Sequence, residues 1–280
     1  MQFSRTVAPH SSKGPALIAF MRHNKWRRLV ILTSTDEVYF DAGLGLAKQL
    51  EYSGNKVLKP TAFEPGNIRD ATFREIRQSG SRIVVVLAYD ADIWAVASLA
   101  HRDGMVAGFA WVLPRSEVLP VPDLLGWLWI RPFLASEAMQ VFAKQVSDYS
   151  KSHFDITVPP ESVDLTYSVA LYDAIMLYAH SATKVMSEGG DIQDGEAVTA
   201  AVRNTTIKGV GGTAVALDSN GDRVDSYEVM NFVLEAGSVL RSVAVGRFDS
   251  KLGQYKAYER PVVWPGNTLE VPADYFSGEL

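Results

Sequence analysis

The chain has no cysteine in its 280 residues, which removes disulfides, thiolate metal sites and cysteine nucleophiles at once. Long apolar runs are missing too. The longest covers residues 83–88, far below the roughly 18–20 residues that span a bilayer, and fits a buried strand. Residues 1–12 are polar and no cleavage-like site follows, so no signal-peptide pattern opens the chain, and the chain itself reads as soluble. Basic excess is also lacking: 27 Lys and Arg stand against 32 Asp and Glu, a formal charge of −5. A nucleic-acid partner is therefore not expected, because tracking phosphates needs a concentrated basic face. The one basic cluster, Arg22, His23, Lys25, Arg27 and Arg28, reads as a helix C-terminus and turn.

Catalytic and metal-binding signatures are equally scarce. His10, His23, His101, His153 and His180 show no His-x3-His or His-Glu-x-x-His spacing. There is no Gly-x-Ser-x-Gly elbow, and Asp90/Asp92 sit at a spacing common on solvated loops. Gly43-Leu44-Gly45 lies inside a helical pattern, and Gly209-Val210-Gly211-Gly212 precedes a strand, so neither cradles a phosphate at a helix N-terminus. Residues 218–222 look superficially like a calcium loop, but Gly221 is fourth where an EF-hand needs it sixth. No enzyme, no metal and no cofactor are expected.

What is present is an ordinary globular balance, 47% hydrophobic and 21% charged, arranged as alternating strands and helices. Helical periodicity is expected over 15–23, 39–52, 68–78 and 91–101. Strands are expected over 29–33, 56–58, 82–88 and 108–113. This is the βαβ pattern of a parallel sheet covered by helices. The run Ile83-Val84-Val85-Val86-Leu87 reads as a strand buried on both faces. After the proline-rich stretch 114–124, a strand is expected over 127–130 and helices over 136–150, 163–188 and 195–204. The helix over 163–188 is apolar round most of its circumference, which implies burial. Residues 213–217 and 224–232 flank Asn220-Gly221, a strong hairpin signal, and 239–248 reads as a further strand.

In open parallel sheets the ligand lies beyond the carboxyl ends of the strands. Those ends carry Thr35 and Asp36, Tyr89 and Asp90, and Leu113 and Arg115: hydroxyls, an aromatic ring, carboxylates and a guanidinium suited to a small zwitterion. Capping of the following helices by Thr35 or Asp36 and by Asp90 is compatible with that role. Asn204-Thr205-Thr206 is an N-glycosylation sequon, so Asn204 is a glycosylation candidate.

Four stretches carry a family resemblance: Phe3-Ser4-Arg5-Thr6-Val7 with Pro9-His10-Ser11, Trp26 to Leu32 with Tyr39, Tyr167 to Ile175, and Ile207 to Arg223. With Trp264-Pro265-Gly266 they resemble the receptor-family ligand-binding region, of type I periplasmic-binding-protein fold. Within it, residues 35–40, 87–90 and 110–113 are similar to the type-B γ-aminobutyrate receptor branch of the class C G-protein-coupled receptors. Pro114-Arg115 departs from that branch, which has Gly-Trp there.

The resemblance implies an α/β, two-lobed fold with parallel sheets flanked by helices. Residues 1–126 with 211–250 would form lobe 2, residues 127–210 an incomplete lobe 1, and residues 251–280 an exit segment. The family's opening section has no counterpart here, so a piece of a larger receptor or a reduced module is expected. The resemblance further implies an amino-acid-like ligand contacted by Tyr39 and Tyr89, closure between lobes, a downstream transmembrane signalling domain, dimers, and a membrane-associated, extracellular location. The alternative is a soluble substrate-binding protein of an amino-acid-type transporter.

Overall fold

The computed structural model describes residues 4–235 and 239–275. Two compact units are distinct: residues 9–132 with 226–275, and residues 4–8 with 133–225. We call them the sheet unit and the helical unit.

The sheet unit runs α1 (Gly14–His23), β1 (Arg28–Ser34), α2 (Glu37–Tyr52), β2 (Lys56–Phe63), α3 (Asp70–Gln78), β3 (Ile83–Leu87), α4 (Asp90–Arg102), β4 (Ala110–Leu113) and β5 (Leu128–Pro132). The chain returns later to add β8 (Tyr227–Glu235), β9 (Val239–Asp249) and β10 (Gln254–Ala257). These form one eight-stranded sheet of order β10-β9-β8-β5-β4-β3-β1-β2. The β2-β1-β3-β4-β5 half is parallel, and β8, β9 and β10 join antiparallel. This is the mostly parallel, helix-flanked sheet of a type I periplasmic-binding-protein-like fold.

Strand alternation sorts the core into two layers. Leu29, Ile31, Ile83, Val85, Ala110, Val112 and Leu128 pack with α1 and α2. Val30, Leu32, Val84, Val86, Trp111, Leu113 and Trp129 pack with α3 and α4. Every residue of β3 is buried, which is why its sequence shows no polar alternation. On the second face Trp111 stacks on Trp127 at 4.7 Å and 8° and donates from Nε1 to Met105 O at 2.9 Å. Gly43 packs α2 against the sheet: a Cβ there would meet Thr33 at 3.4 Å, about contact distance.

Several expectations need correction. The strand expected after Trp127 belongs to the large sheet, because β5 pairs β4 on one side and β8 on the other. The division between the two compact units falls at 132/133, against the 126/127 boundary expected between lobes. Residues 211–225 stay in the helical unit, and only from Ser226 does the chain rejoin the sheet. Asp92 is not a solvated carboxylate; it is 6% exposed and accepts Gly66 N at 2.8 Å, fixing the β2–α3 turn.

The helical unit contains α5 (Ser136–Phe154), α6 (Leu165–Ser187), α7 (Gly195–Asn204) and the two-stranded ribbon β6 (Ile207–Lys208) with β7 (Ala214–Val215). Asp164 and Asp194 cap α6 and α7 by accepting amides of their first turns. The ribbon joins 207–208 to 214–215, so the strand expected over 213–217 pairs backward. Residues 218–222 form a tight loop closed by the Leu217–Arg223 bridge. Gly221 alone takes positive φ (+85°) in that loop. Asp218 spends its carboxylate on the amides of Asn220 and Asp222, at 2.9 Å each. That explains the acidic loop without calcium.

Asp173, 1% exposed, accepts Arg223 Nη1 at 3.0 Å and Val210 N at 2.9 Å. Arg223 also donates from Nε to Asp225 at 2.7 Å and from Nη1 to Thr6 O at 3.4 Å. A buried ion cluster thus ties α6, the ribbon and segment 4–8 together. The expected burial of α6 holds for one face only: Val169, Asp173, Leu177 and Ser181 are inside, while Tyr167, Leu171, Ile175 and Tyr178 are exposed.

Candidate functional site

The sequence-nominated residues lie where β1, β3 and β4 end, in the sheet unit. Each arrives there because its strand stops and a helix or loop begins. Four of them converge. Arg115 donates from Nη1 to Asp90 Oδ1 at 2.5 Å and to Ala88 O at 2.9 Å. Its guanidinium lies over the Tyr39 ring at 5.7 Å, and Tyr39 meets Tyr89 edge to face at 4.7 Å and 87°. The ion pair is shielded, with side chains 14% and 23% exposed, and Arg115 Nε is buried without a hydrogen-bond partner.

The four differ in what they offer. Tyr89 is 49% exposed and presents its ring to solvent. Tyr39 is only 3% exposed, so it supports the cluster from beneath instead of facing outward. Tyr89, not Asp90, is the N-cap residue of α4; the Asp90 carboxylate goes to Arg115 in place of capping. Leu113 is fully buried in the second core layer, and its carbonyl accepts Arg115 N at 2.8 Å. Its contribution is to aim Arg115.

Thr35 and Asp36 lie apart from this cluster in their bonding. Asp36 caps α2, accepting Val38 N at 3.1 Å. Thr35 lines a polar depression of about 200 Å³ with Glu64, Asn67, Arg69 and Thr72. Asn204, at the end of α7, is exposed and donates to Ala200 O at 3.0 Å.

Sequence reasoning missed His10. It packs against Tyr39 at 5.2 Å and donates from Nδ1 to Pro114 O at 3.3 Å. Its partners are far away in sequence, and the stretch Pro9-His10-Ser11 carries family resemblance without marking His10 as a site residue. Burial, then the nearby Lys13 charge, push its pKa down to about 4; Arg115 adds to this, and the Pro114 carbonyl opposes it. The folded pKa lies below the unfolded value of 6.5, so the neutral ring stabilises the fold above pH 6.5. That contribution is lost as pH falls from 6.5 through 4. It amounts to about 3 kcal/mol. In urea titrations the stability gap between the wild type and His10→Asn should shift by that order against the wild type between pH 7 and pH 4. A gap independent of pH would show that His10 is not buried neutral.

Among the described residues no group of three or more His, Asp or Glu is placed to hold a metal, and no helix is long and apolar enough to cross a membrane.

Residues 1–235 match the model of the receptor family ligand binding region. The chain is 26% identical over 98% of its length to metabotropic glutamate receptor-like protein E of Dictyostelium discoideum, covering 34% of that protein. It is 24% identical over 96% of its length to atrial natriuretic peptide receptor 3 of Bos taurus, covering 53% of it. Guanylate cyclase 32E of Drosophila melanogaster is 23% identical over 94% of this chain, which covers 24% of that relative. The chain thus spans about half or less of the curated relatives it matches. The matched family is one of ligand binding, and such regions lie on the extracellular side of a membrane. With a match over most of its length and the fold that goes with it, the chain belongs to the receptor family ligand-binding region.

Proposed function

We propose that the chain senses a small amino-acid-like molecule as the ligand-binding region of a membrane receptor, and that Tyr89, Asp90 and Arg115 make the contact. The Arg115–Asp90 pair carries this reading. It holds one charge of each sign beside an exposed aromatic ring at the carboxyl ends of parallel strands. A zwitterion satisfies both partners reciprocally, its carboxylate toward the guanidinium and its ammonium toward Asp90 and the Tyr89 face. A ligand of single charge would leave one partner shielded and uncompensated. In this reading binding favours inter-lobe closure, and a downstream transmembrane domain reads it.

Tyr89→Ala removes a half-exposed ring and no hydrogen bond that holds the fold. It also removes the edge-to-face contact with Tyr39, so the thermal midpoint should fall by only a few degrees, the equivalent of about 1 kcal/mol. Affinity for the amino acid that the wild type binds best should fall about tenfold, the value of an exposed cation–π contact and lost ring packing. Unchanged affinity in calorimetric titration would remove Tyr89 from the site.

A further inference from the structure

Of the seven asparagines in the chain, Asn204 alone starts an Asn-x-Thr triplet, Asn204-Thr205-Thr206. The proposed sensing role makes no use of it. The triplet begins on the last residue of α7 and runs into extended backbone, with φ −100° and ψ 133° at Thr205. Asn204 and Thr206 are both exposed. The Asn204 side-chain amide does not simply point into solvent: Nδ2 donates to Ala200 O at 3.0 Å, one turn back. That bond folds the side chain along α7 instead of away from it.

A groove of about 380 Å³ lies between α6 and α7 at this point, and Asn204 is part of its wall. Val185 of α6 and Ala197, Ala200 and Ala201 of α7 line it with methyl groups, and Lys184 and Glu188 are its only charged residues. Its size falls within the roughly 300–1,000 Å³ of sites for small organic groups. The lining suits a pyranose ring, which has a face of C–H groups and an edge of hydroxyls. The C–H face packs on the alanines and Val185, and the hydroxyls reach a carboxylate and an ammonium. The alanines open the groove; larger side chains at those positions would fill it.

We propose that Asn204 carries an N-linked glycan whose first N-acetylglucosamine lies along this groove. In the transfer, Asn204 Nδ2 bonds to the anomeric carbon of an oligosaccharide held on a lipid pyrophosphate. The carbon–oxygen bond to the pyrophosphate breaks, the pyrophosphate leaves with the electron pair, and the displaced amide proton passes to solvent. Attachment replaces one hydrogen of Nδ2, and the other remains for Ala200 O. The bond that aims the side chain at the groove therefore survives modification. The proposal needs the extracellular placement of the family and does not depend on the ligand reading.

Two measurements test it. In the protein recovered from its own cells, the peptide spanning residues 204–208 should carry a glycan that begins with N-acetylhexosamine. Thr206→Ala should lose it entirely and Thr206→Ser should keep it, both with Asn204 and its bond to Ala200 O in place. Hydrogen exchange reads the groove. Thr206→Ala should exchange faster than wild type at residues 184–188 and 197–204, with the rest of the helical unit unchanged. Wild type trimmed enzymatically to the first sugar should keep its protection. Unmodified Asn204 in protein that surface biotinylation labels on intact cells would overturn the glycosylation site. Unmodified Asn204 in protein that is not labelled would overturn it together with the extracellular placement. A glycan whose loss leaves exchange unchanged would overturn its seat in the groove.

Discussion

Arg223→Met is expected to remove about 3–5 kcal/mol from the helical unit, because it leaves two buried carboxylates without their shared cation. Asp173 and Asp225 are 1% and 9% exposed, so water cannot replace the guanidinium without opening the unit. The Thr6 carbonyl and Thr213 hydroxyl lose their donors as well. Segment 4–8, α6 and the ribbon meet at this one side chain, so their amides should lose hydrogen-exchange protection together. Combining Arg223→Met with Asp173→Asn and Asp225→Asn removes the stranded charges and should recover part of the loss. A loss below about 1 kcal/mol for the single variant would mean that the cluster is hydrated and not structural.

The second large effect is expected at Gly126, in the sheet unit. Its φ is +83°, and a Cβ would lie 2.3 Å from Pro265 N and 2.4 Å from Trp264 C. Both contacts are backbone, so no side chain can swing aside. Gly126→Ala must therefore strain its own left-handed conformation and push residues 264–265 away, at a combined cost of about 2–4 kcal/mol. The displaced segment is well anchored. Trp264 is 2% exposed against Trp26, Asn231 exchanges two hydrogen bonds with Val263, and Trp26 Nε1 donates to Pro272 O at 2.7 Å. Trp264 fluorescence should report the release ahead of global unfolding. An unchanged urea midpoint would contradict the close approach.

The sheet unit was largely legible because its physics is local and repetitive. β3 announces itself by five consecutive apolar residues, and α2 ends where Ser53-Gly54 follows its apolar face. β2 runs to Phe63 although only 56–58 read as strand. It is an edge strand, its ladder carries an irregularity opposite Val30 and Leu32, and Pro60 falls in that stretch. Edge strands tolerate such breaks, which erase the sequence pattern. β10 is short, polar and peripheral, and was not anticipated.

The candidate site was half legible. Tyr89, Asp90 and Arg115 follow from asking what stands at the strand ends. The burial of Tyr39 and Leu113 does not, because alternation says which face a residue takes and not how thickly that face is covered. His10 and the Asp173–Arg223 pair depend on contacts between distant segments, for which a single sequence carries no signal. The outer face of α6 misled for the opposite reason: its apolar residues suggested burial all round, yet Tyr167, Leu171, Ile175 and Tyr178 are exposed.

The central claim is that a neutral pair of opposite charges beside Tyr89 selects a zwitterion. Calorimetric titration of the chain with the free amino acids and γ-aminobutyrate, alongside their methyl esters and N-acetyl derivatives, tests it most directly. The account predicts binding by at least one free amino acid. It also predicts that blocking either the carboxylate or the ammonium costs at least about tenfold, about 1.4 kcal/mol, and that Arg115→Gln abolishes the preference over the ester. Equal binding of the free and blocked forms, or binding unaffected by Arg115→Gln, would contradict it.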